Sequence, residues 1–281
     1  MQYQRVNVSG LSIFFRTAGN PNQPVLLLLH GFPTASHYFR NLMPLLERDF
    51  YCIAPDMVGF GQTEAPSREN FSYTFDHETE MMAAFLEELG IDCYYLYVFD
   101  YGAPVGFRLA MEKPEQVLGI ISQNGNVYEE GLGAKWQDRR TYWENPTNEG
   151  RRTFAAAYAK DTIEKQYLGG EKEGAVGPDG YLLDIYYSQV LPDYAEKQND
   201  LILDYRTNVA KYPAFQQYLR KQQPKLLAIW GKNDPSFIWQ GAVAFLKDVP
   251  EARIVPLDAG HFALESHANV IAQQIRKTFI G

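Results

Sequence analysis

The sequence predicts an α/β protein built on a mostly parallel, twisted sheet with helices on both faces and an inserted all-helical segment. Three observations carry that prediction. Short apolar runs recur with helical stretches between them, as expected of parallel strands buried on both faces. Two alternating segments near the start form a hairpin. Between residues 126 and 213 the strand pattern stops altogether.

The hairpin comes first. Tyr3 to Val8 and Leu11 to Thr17 alternate polar and apolar residues and meet at Ser9-Gly10, which predicts an antiparallel pair at the sheet edge. The runs Val25 to Leu29, Tyr51 to Ala54, Tyr94 to Val98, Leu118 to Ser122, Leu226 to Trp230 and Arg253 to Leu257 predict the remaining strands. Residues 1–125 and 214–281 then form one core. Within the insertion, Arg151 to Tyr158 and Tyr181 to Val190 read as helices, and the stretch from Gly169 to Gly180, with five glycines and Pro178, reads as a loop between helices. Ten of the 19 tyrosines fall in this insertion, a first hint that it faces something other than bulk water.

Composition narrows the function. With 281 residues, 46% hydrophobic and 21% charged, and with 19 Tyr, 17 Phe and 4 Trp, a large packed core is expected and disorder is excluded. A surplus of 34 acidic over 26 basic residues, a net charge of −8, argues against nucleic acid and anionic membranes as partners. The expected partner is a small, uncharged molecule; pairing into a homodimer is left open. No apolar run approaches the roughly 20 residues needed to span a bilayer. The start of the chain lacks the basic and apolar regions of a secretory signal. Cys52 and Cys93, in apolar strand-like settings, read as buried thiols. Together these predict a cytoplasmic protein.

The chemistry concentrates at four strand ends. Between the strand ending at Val98 and a helix beginning near Val105, the segment Phe99-Asp100-Tyr101-Gly102 must turn sharply. Gly102 and Gly106 let strand and helix approach closely, as a strained nucleophile elbow requires, and the turn carries a carboxylate where Ser is usual. Asp100 could instead simply cap the helix. Three other segments weigh against that. His30-Gly31-Phe32-Pro33 follows Val25 to Leu29, Trp230-Gly231-Lys232-Asn233-Asp234 closes a later strand, and Ala259-Gly260-His261-Phe262 follows the last one. Nucleophile, acid and imidazole thus appear in order past strand ends, where such sheets bind ligands. After the strand Leu118 to Ser122, the residues Gln123 to Asn126 include no carboxylate.

With these residues the chain resembles the α/β-hydrolase superfamily, and within it the aspartate-nucleophile branch of epoxide hydrolases, haloalkane dehalogenases and fluoroacetate dehalogenases. Ala54-Pro55-Asp56-Met57-Val58-Gly59-Phe60-Gly61 is similar to the family's segment after the next strand, and residues 126–213 fall where the family keeps a helical cap. The resemblance implies that Asp100 attacks an sp3 carbon to form an alkyl ester, that His261 activates water, and that Asp234 orients His261. It further implies an oxyanion hole from the amides of Phe32 and Tyr101, and a cis peptide before Pro33.

Which reaction follows depends on the cap. Dehalogenases of alkyl halides in this branch place Trp after the nucleophile and either Asn after His-Gly or a second Trp in the cap; here stand Tyr101 and Phe32, leaving Trp143 as one halide donor. The fluoroacetate-type arginine clamp is replaced by Tyr101 and Pro104. Epoxide hydrolases need cap phenols to protonate the ring oxygen. Leu203-Asp204-Tyr205-Arg206 is similar to the second cap-tyrosine motif, which implies that role for Tyr205. Tyr142-Trp143-Glu144-Asn145-Pro146 is similar to the segment beside the first, but Arg139 occupies the place of its tyrosine. Either Tyr142 takes that role or Arg139 binds an oxygen or carboxylate of a different substrate. The leading expectation is an epoxide-hydrolase-like enzyme acting on a small to medium apolar substrate. Hydrolytic dehalogenation is second, and a non-hydrolytic small-ligand-binding or general-base protein is third. The five His and two Cys form no metal-ligand spacing, and no dinucleotide fingerprint occurs, so neither metal nor cofactor is expected.

Overall fold

The computed structural model describes residues 1–155 and 158–281. Eight strands form one sheet in the order β1-β2-β4-β3-β5-β6-β7-β8. The hairpin of β1 (Gln2–Val8) and β2 (Leu11–Ala18) is antiparallel and lies at one edge, as expected. It pairs antiparallel to β4 (Tyr51–Pro55). From there β3 (Val25–Leu29), β5 (Tyr94–Phe99), β6 (Val117–Gln123), β7 (Leu226–Gly231) and β8 (Arg253–Leu257) run parallel.

The apolar runs of β3, β5 and β7 are continuous because these strands are covered on both sides. Alternate residues feed two cores: Leu27, Leu29, Leu96, Val98 and Trp230 enter one, while Leu26, Leu28, Tyr97, Phe99 and Ile229 enter the other. Helices α2 (Phe75–Glu88) and α3 (Gly102–Glu112) cover the first face, and α1 (Met43–Leu46) and α10 (Ala263–Phe279) the second. Between β6 and β7 come α4 (Trp136–Glu144), α5 (Asn148–Ala155), α6 (Lys160–Leu168), α7 (Pro178–Val190) and α8 (Tyr194–Gln222). A last short helix, α9 (Trp239–Ala244), precedes β8.

Several boundaries differ from those read in the sequence. The glycine-rich loop ends at Gly177, because Pro178 starts α7, where its missing N–H costs nothing. Position 213 is not a helix end, for α8 continues through Pro213 to Gln222 and packs Phe215 and Leu219 into the core. Of the helix expected over Arg151 to Tyr158, residues 156 and 157 lie outside the described residues. Cys52 is a buried thiol, but Cys93 is exposed, since it sits just ahead of β5 rather than within it.

The elbow depends on the approach of α3 to β3. A Cβ on Gly102 would lie 2.3 Å from the backbone oxygen of Leu29, which cannot yield as a side chain can. Gly102→Ala is therefore expected to destabilise the fold by about 1–3 kcal/mol, seen as a lower urea midpoint with an unchanged slope.

Candidate active site

Asp100 is the first residue beyond β5 and holds a left-handed backbone, φ 48°. That conformation turns the chain directly into α3 and lifts the carboxylate out of the sheet. Space for it comes from Gly31, where a Cβ would fall 2.3 Å from the Asp100 Cβ. The Phe32 amide, just past β3, donates to Asp100 Oδ1 at 2.7 Å. Of the two amides expected at the oxyanion position, that of Phe32 alone is hydrogen-bonded to this carboxylate; Tyr101 follows directly as the cap of α3. The Phe32-Pro33 peptide is cis, as the resemblance implied. His30 is buried and structural: its Nε2 accepts from the Met57 amide at 2.9 Å, and burial lowers its pKa below the ordinary value.

His261 and Asp234 arrive from the ends of β8 and β7. His261 Nδ1 lies 2.6 Å from Asp234 Oδ2, and His261 Nε2 lies 3.5 Å from Asp100 Oδ2. All three side chains are nearly buried, and the imidazole packs against Phe99, Phe237 and Phe262. Asp234 is held further by the Ser236 amide on Oδ1 at 2.7 Å and by Asn124 Nδ2 on Oδ2 at 2.8 Å. Asn124, past the end of β6 with φ 46°, also accepts from the Gly231 amide at 2.9 Å. Sequence reading noted only that this position lacks a carboxylate; its amide in fact braces the acid on the next strand.

Electrostatics follow from this burial. Desolvation opposes an imidazolium at His261, but the Asp234 and Asp100 carboxylates outweigh it and push its pKa up to about 10. The Tyr205 phenol moves well above its ordinary value because it is buried and because Tyr212 and Asp100 stand nearby. Burial, with Asp100 alongside, likewise raises Tyr101.

Asp100, Tyr101, Tyr205, Asp234 and His261 line a cavity of about 290 Å³, together with Phe32, Trp136, Arg139 and Ile202. Along one wall Tyr205 packs 5.9 Å from Tyr101 and 4.4 Å from Trp136, and its hydroxyl lies 3.3 Å from that of Tyr212. Arg139, half-buried on α4, does reach the cavity and stands 4.6 Å over the Trp136 ring. The other two cap residues singled out in the sequence do not. Tyr142 packs against Phe154 and Gly150, away from the cavity. Trp143 spends its indole N–H on the Ile202 carbonyl at 2.8 Å. Two turns of α4 separate the right aromatic from the expected one: Trp136 lines the cavity and Trp143 lies behind it.

A family model described as the alpha/beta hydrolase fold matches residues 24–268. The chain belongs to that family. The hydrolase is 41% identical over 286 residues to an uncharacterized hydrolase of Saccharomyces cerevisiae, with 99% of this chain and 97% of that protein covered. It is 38% identical over 120 residues to a haloalkane dehalogenase of Bradyrhizobium diazoefficiens, covering 43% of this chain and 38% of that protein. A solved haloalkane dehalogenase from Bradyrhizobium elkani shares the hydrolase's fold with a TM-score of 0.81 at 23% identity, covering 100% of this chain and 98% of that one. No helix among the described residues is long and apolar enough to cross a membrane.

Because the folded pKa of His261 is raised above its unfolded value near 6.5, the stabilisation from its charge is complete below that value and is lost as pH rises through about 10. Nitrogen-resolved NMR at pH 8 is expected to show both ring nitrogens of His261 protonated, and Asp234→Asn is expected to bring the titration down towards neutrality.

Proposed function

We propose that this hydrolase opens epoxides through an ester on Asp100, with residues 126–213 as the cap over the reacting groups. One observation carries the reading. The elbow carboxylate has one oxygen on an amide and the other facing an Asp-paired imidazole, in a cavity that offers phenols rather than indole donors. Trp136 is the cavity's tryptophan, and its N–H is already given to the Ser236 carbonyl at 3.0 Å. A departing halide would find no indole donor there. An epoxide oxygen would find Tyr205 and Tyr101, neutral phenols kept protonated by burial.

The steps follow from the two oxygens of Asp100. Oδ2 attacks an sp3 ring carbon while the ring C–O bond breaks, and the released oxygen takes a proton from a phenol, Tyr205 first and Tyr101 beside it. Esterification removes the Asp100 charge, one of the two that hold His261 protonated, so the imidazole loses its proton to the phenolate and becomes a base. Neutral His261 then takes a proton from water, and hydroxide adds to the ester carbonyl. The charge gathers on Oδ1, where the Phe32 amide waits; such a donor is worth roughly 3 kcal/mol of barrier. Collapse breaks the Cγ–Oδ2 bond, His261 protonates the departing diol oxygen, and the neutral imidazole then takes the proton of the new Asp100 carboxyl group, restoring carboxylate and imidazolium.

Intact mass of His261→Ala mixed with 1,2-epoxyhexane or 1-bromohexane separates the readings. Expected is an adduct equal to the whole epoxide, with Tyr205→Phe lowering kcat on the epoxide by about 100-fold. A hexyl adduct from the bromide alone would transfer the reading to dehalogenation, which the names of the relatives favour. If neither reagent attaches, the alkyl-ester mechanism fails and the cavity is a binding or general-base site.

A further inference from the structure

We infer that the cavity selects substrates carrying a carboxylate, bound by Arg139 at the end remote from Asp100 and drawn in by Lys135 and Lys165. This reverses the expectation of an uncharged substrate. It deepens the proposed function and rests on Asp100 being the reacting end of the cavity.

Three cations line this one cavity: Lys135 and Arg139 from α4 and its start, and Lys165 from α6. In a chain of net charge −8, acidic residues outnumber cations by 34 to 26. Yet among the described residues none of these three has a carboxylate within ion-pair distance, whereas Arg40, Arg108, Arg151 and Arg276 all do. The acids on the cavity wall are Asp100 and Asp234, both turned to His261. Asp138, Asp161 and Glu164 share the helices of the three cations but do not line the cavity.

Arg139 has the form of a recognition group. Its guanidinium is steadied over Trp136 at 4.6 Å, while its one hydrogen bond among the described residues is a stretched 3.5 Å contact from Nη1 to the Lys135 carbonyl. Almost all of its donors remain unspent, in the planar fork that fits a carboxylate in two parallel bonds. The two lysines are exposed, and their charges act on approach rather than on seating. Thr162 and Gln166 add neutral hydrogen-bonding groups on the same wall.

Position decides which end of the substrate is charged. From Arg139 the wall runs through Trp136 and Tyr205 to Tyr101, the neighbour of Asp100, at centroid spacings of 4.4 and 5.9 Å. An anionic group placed on Arg139 is thus separated from the Asp100 carboxylate by the side chains of Trp136, Tyr205 and Tyr101, which limits their repulsion. The matching substrate is a small organic acid whose reactive sp3 carbon lies several bonds from its carboxylate.

Calorimetric titration at low salt with hexanoate and hexanamide tests the charge alone, because neither reacts. Hexanoate is expected to bind at least about tenfold tighter, and Arg139→Gln is expected to abolish the difference while leaving the thermal midpoint unchanged. The double variant Lys135→Gln, Lys165→Gln is expected to keep a preference but lose its salt dependence. Equal or tighter binding of hexanamide overturns the inference, as does a preference that survives Arg139→Gln. Turnover is then compared for 5,6-epoxyhexanoate and 1,2-epoxyhexane, the acid being expected to show at least about tenfold higher kcat/KM. Preferential binding of hexanoate without turnover of either epoxide supports the carboxylate site and counts against epoxide opening, so the two readings fail separately.

Discussion

The site exists because two stretches of backbone, Leu29 to Phe32 and Asp100 to Gly102, are pressed together where β3 and β5 end. Parallel pairing of these strands brings their ends level, Leu29 opposite Val98, and each then turns away past the other. A non-glycine residue in the left-handed region costs on the order of 1–3 kcal/mol and persists only when its surroundings over-determine it. Here Gly31 and Gly102 clear the space, and the sheet holds both ends. The Phe32 amide contact to Oδ1 is a consequence of that geometry rather than an independent feature.

The imidazole depends on the same crowding. Two carboxylates each within 3.5 Å of one imidazole, nearly dry, would be costly unless each polar atom found a partner. Asp234 has three partners: the imidazole, the Ser236 amide and the Asn124 amide. Asp100 has fewer, with Oδ2 facing only the imidazole at 3.5 Å. The asymmetry distinguishes a carboxylate fixed in place from one left available, and it agrees with their order along the chain.

Much of this was legible in the residues. Val25–Leu29 is a strand over the length its apolar run suggests, because a strand buried on both faces leaves no polar residue to blur its ends. The ordered Asp100, Asp234 and His261 could be placed together because each follows a strand, and parallel strands deliver their ends to one side of the sheet. Helix α4 was less readable. It is short and polar, so its sequence does not announce which face is buried, and motif spacing alone cannot set its phase. Trp136 was therefore missed and Trp143 overvalued. The role of Asn124 was hidden for a different reason: it rests on a contact with Asp234, 110 positions away.

The inserted helices are tied to the reacting groups and do not merely lie above them. Asp184 of α7 is fully buried against His37 Nε2 at 3.1 Å and accepts a hydrogen bond from Tyr167 of α6. The Tyr167 ring stacks 3.7 Å from Phe262, the residue after His261. A buried polar junction of this kind tolerates few alternative arrangements, since any shift strands a charge or a hydroxyl. It sets α6, and with it Lys165, in register with the imidazole, while α8 carries Ile202 and Tyr205 from the cavity on to Phe215 in the core. The sheet carries Asp100, Asp234 and His261, and the helices that complete the cavity wall are held to the sheet by this buried junction. Substitutions along α4 and α6 can change the charge of the cavity without disturbing the elbow, which shares no backbone with either helix.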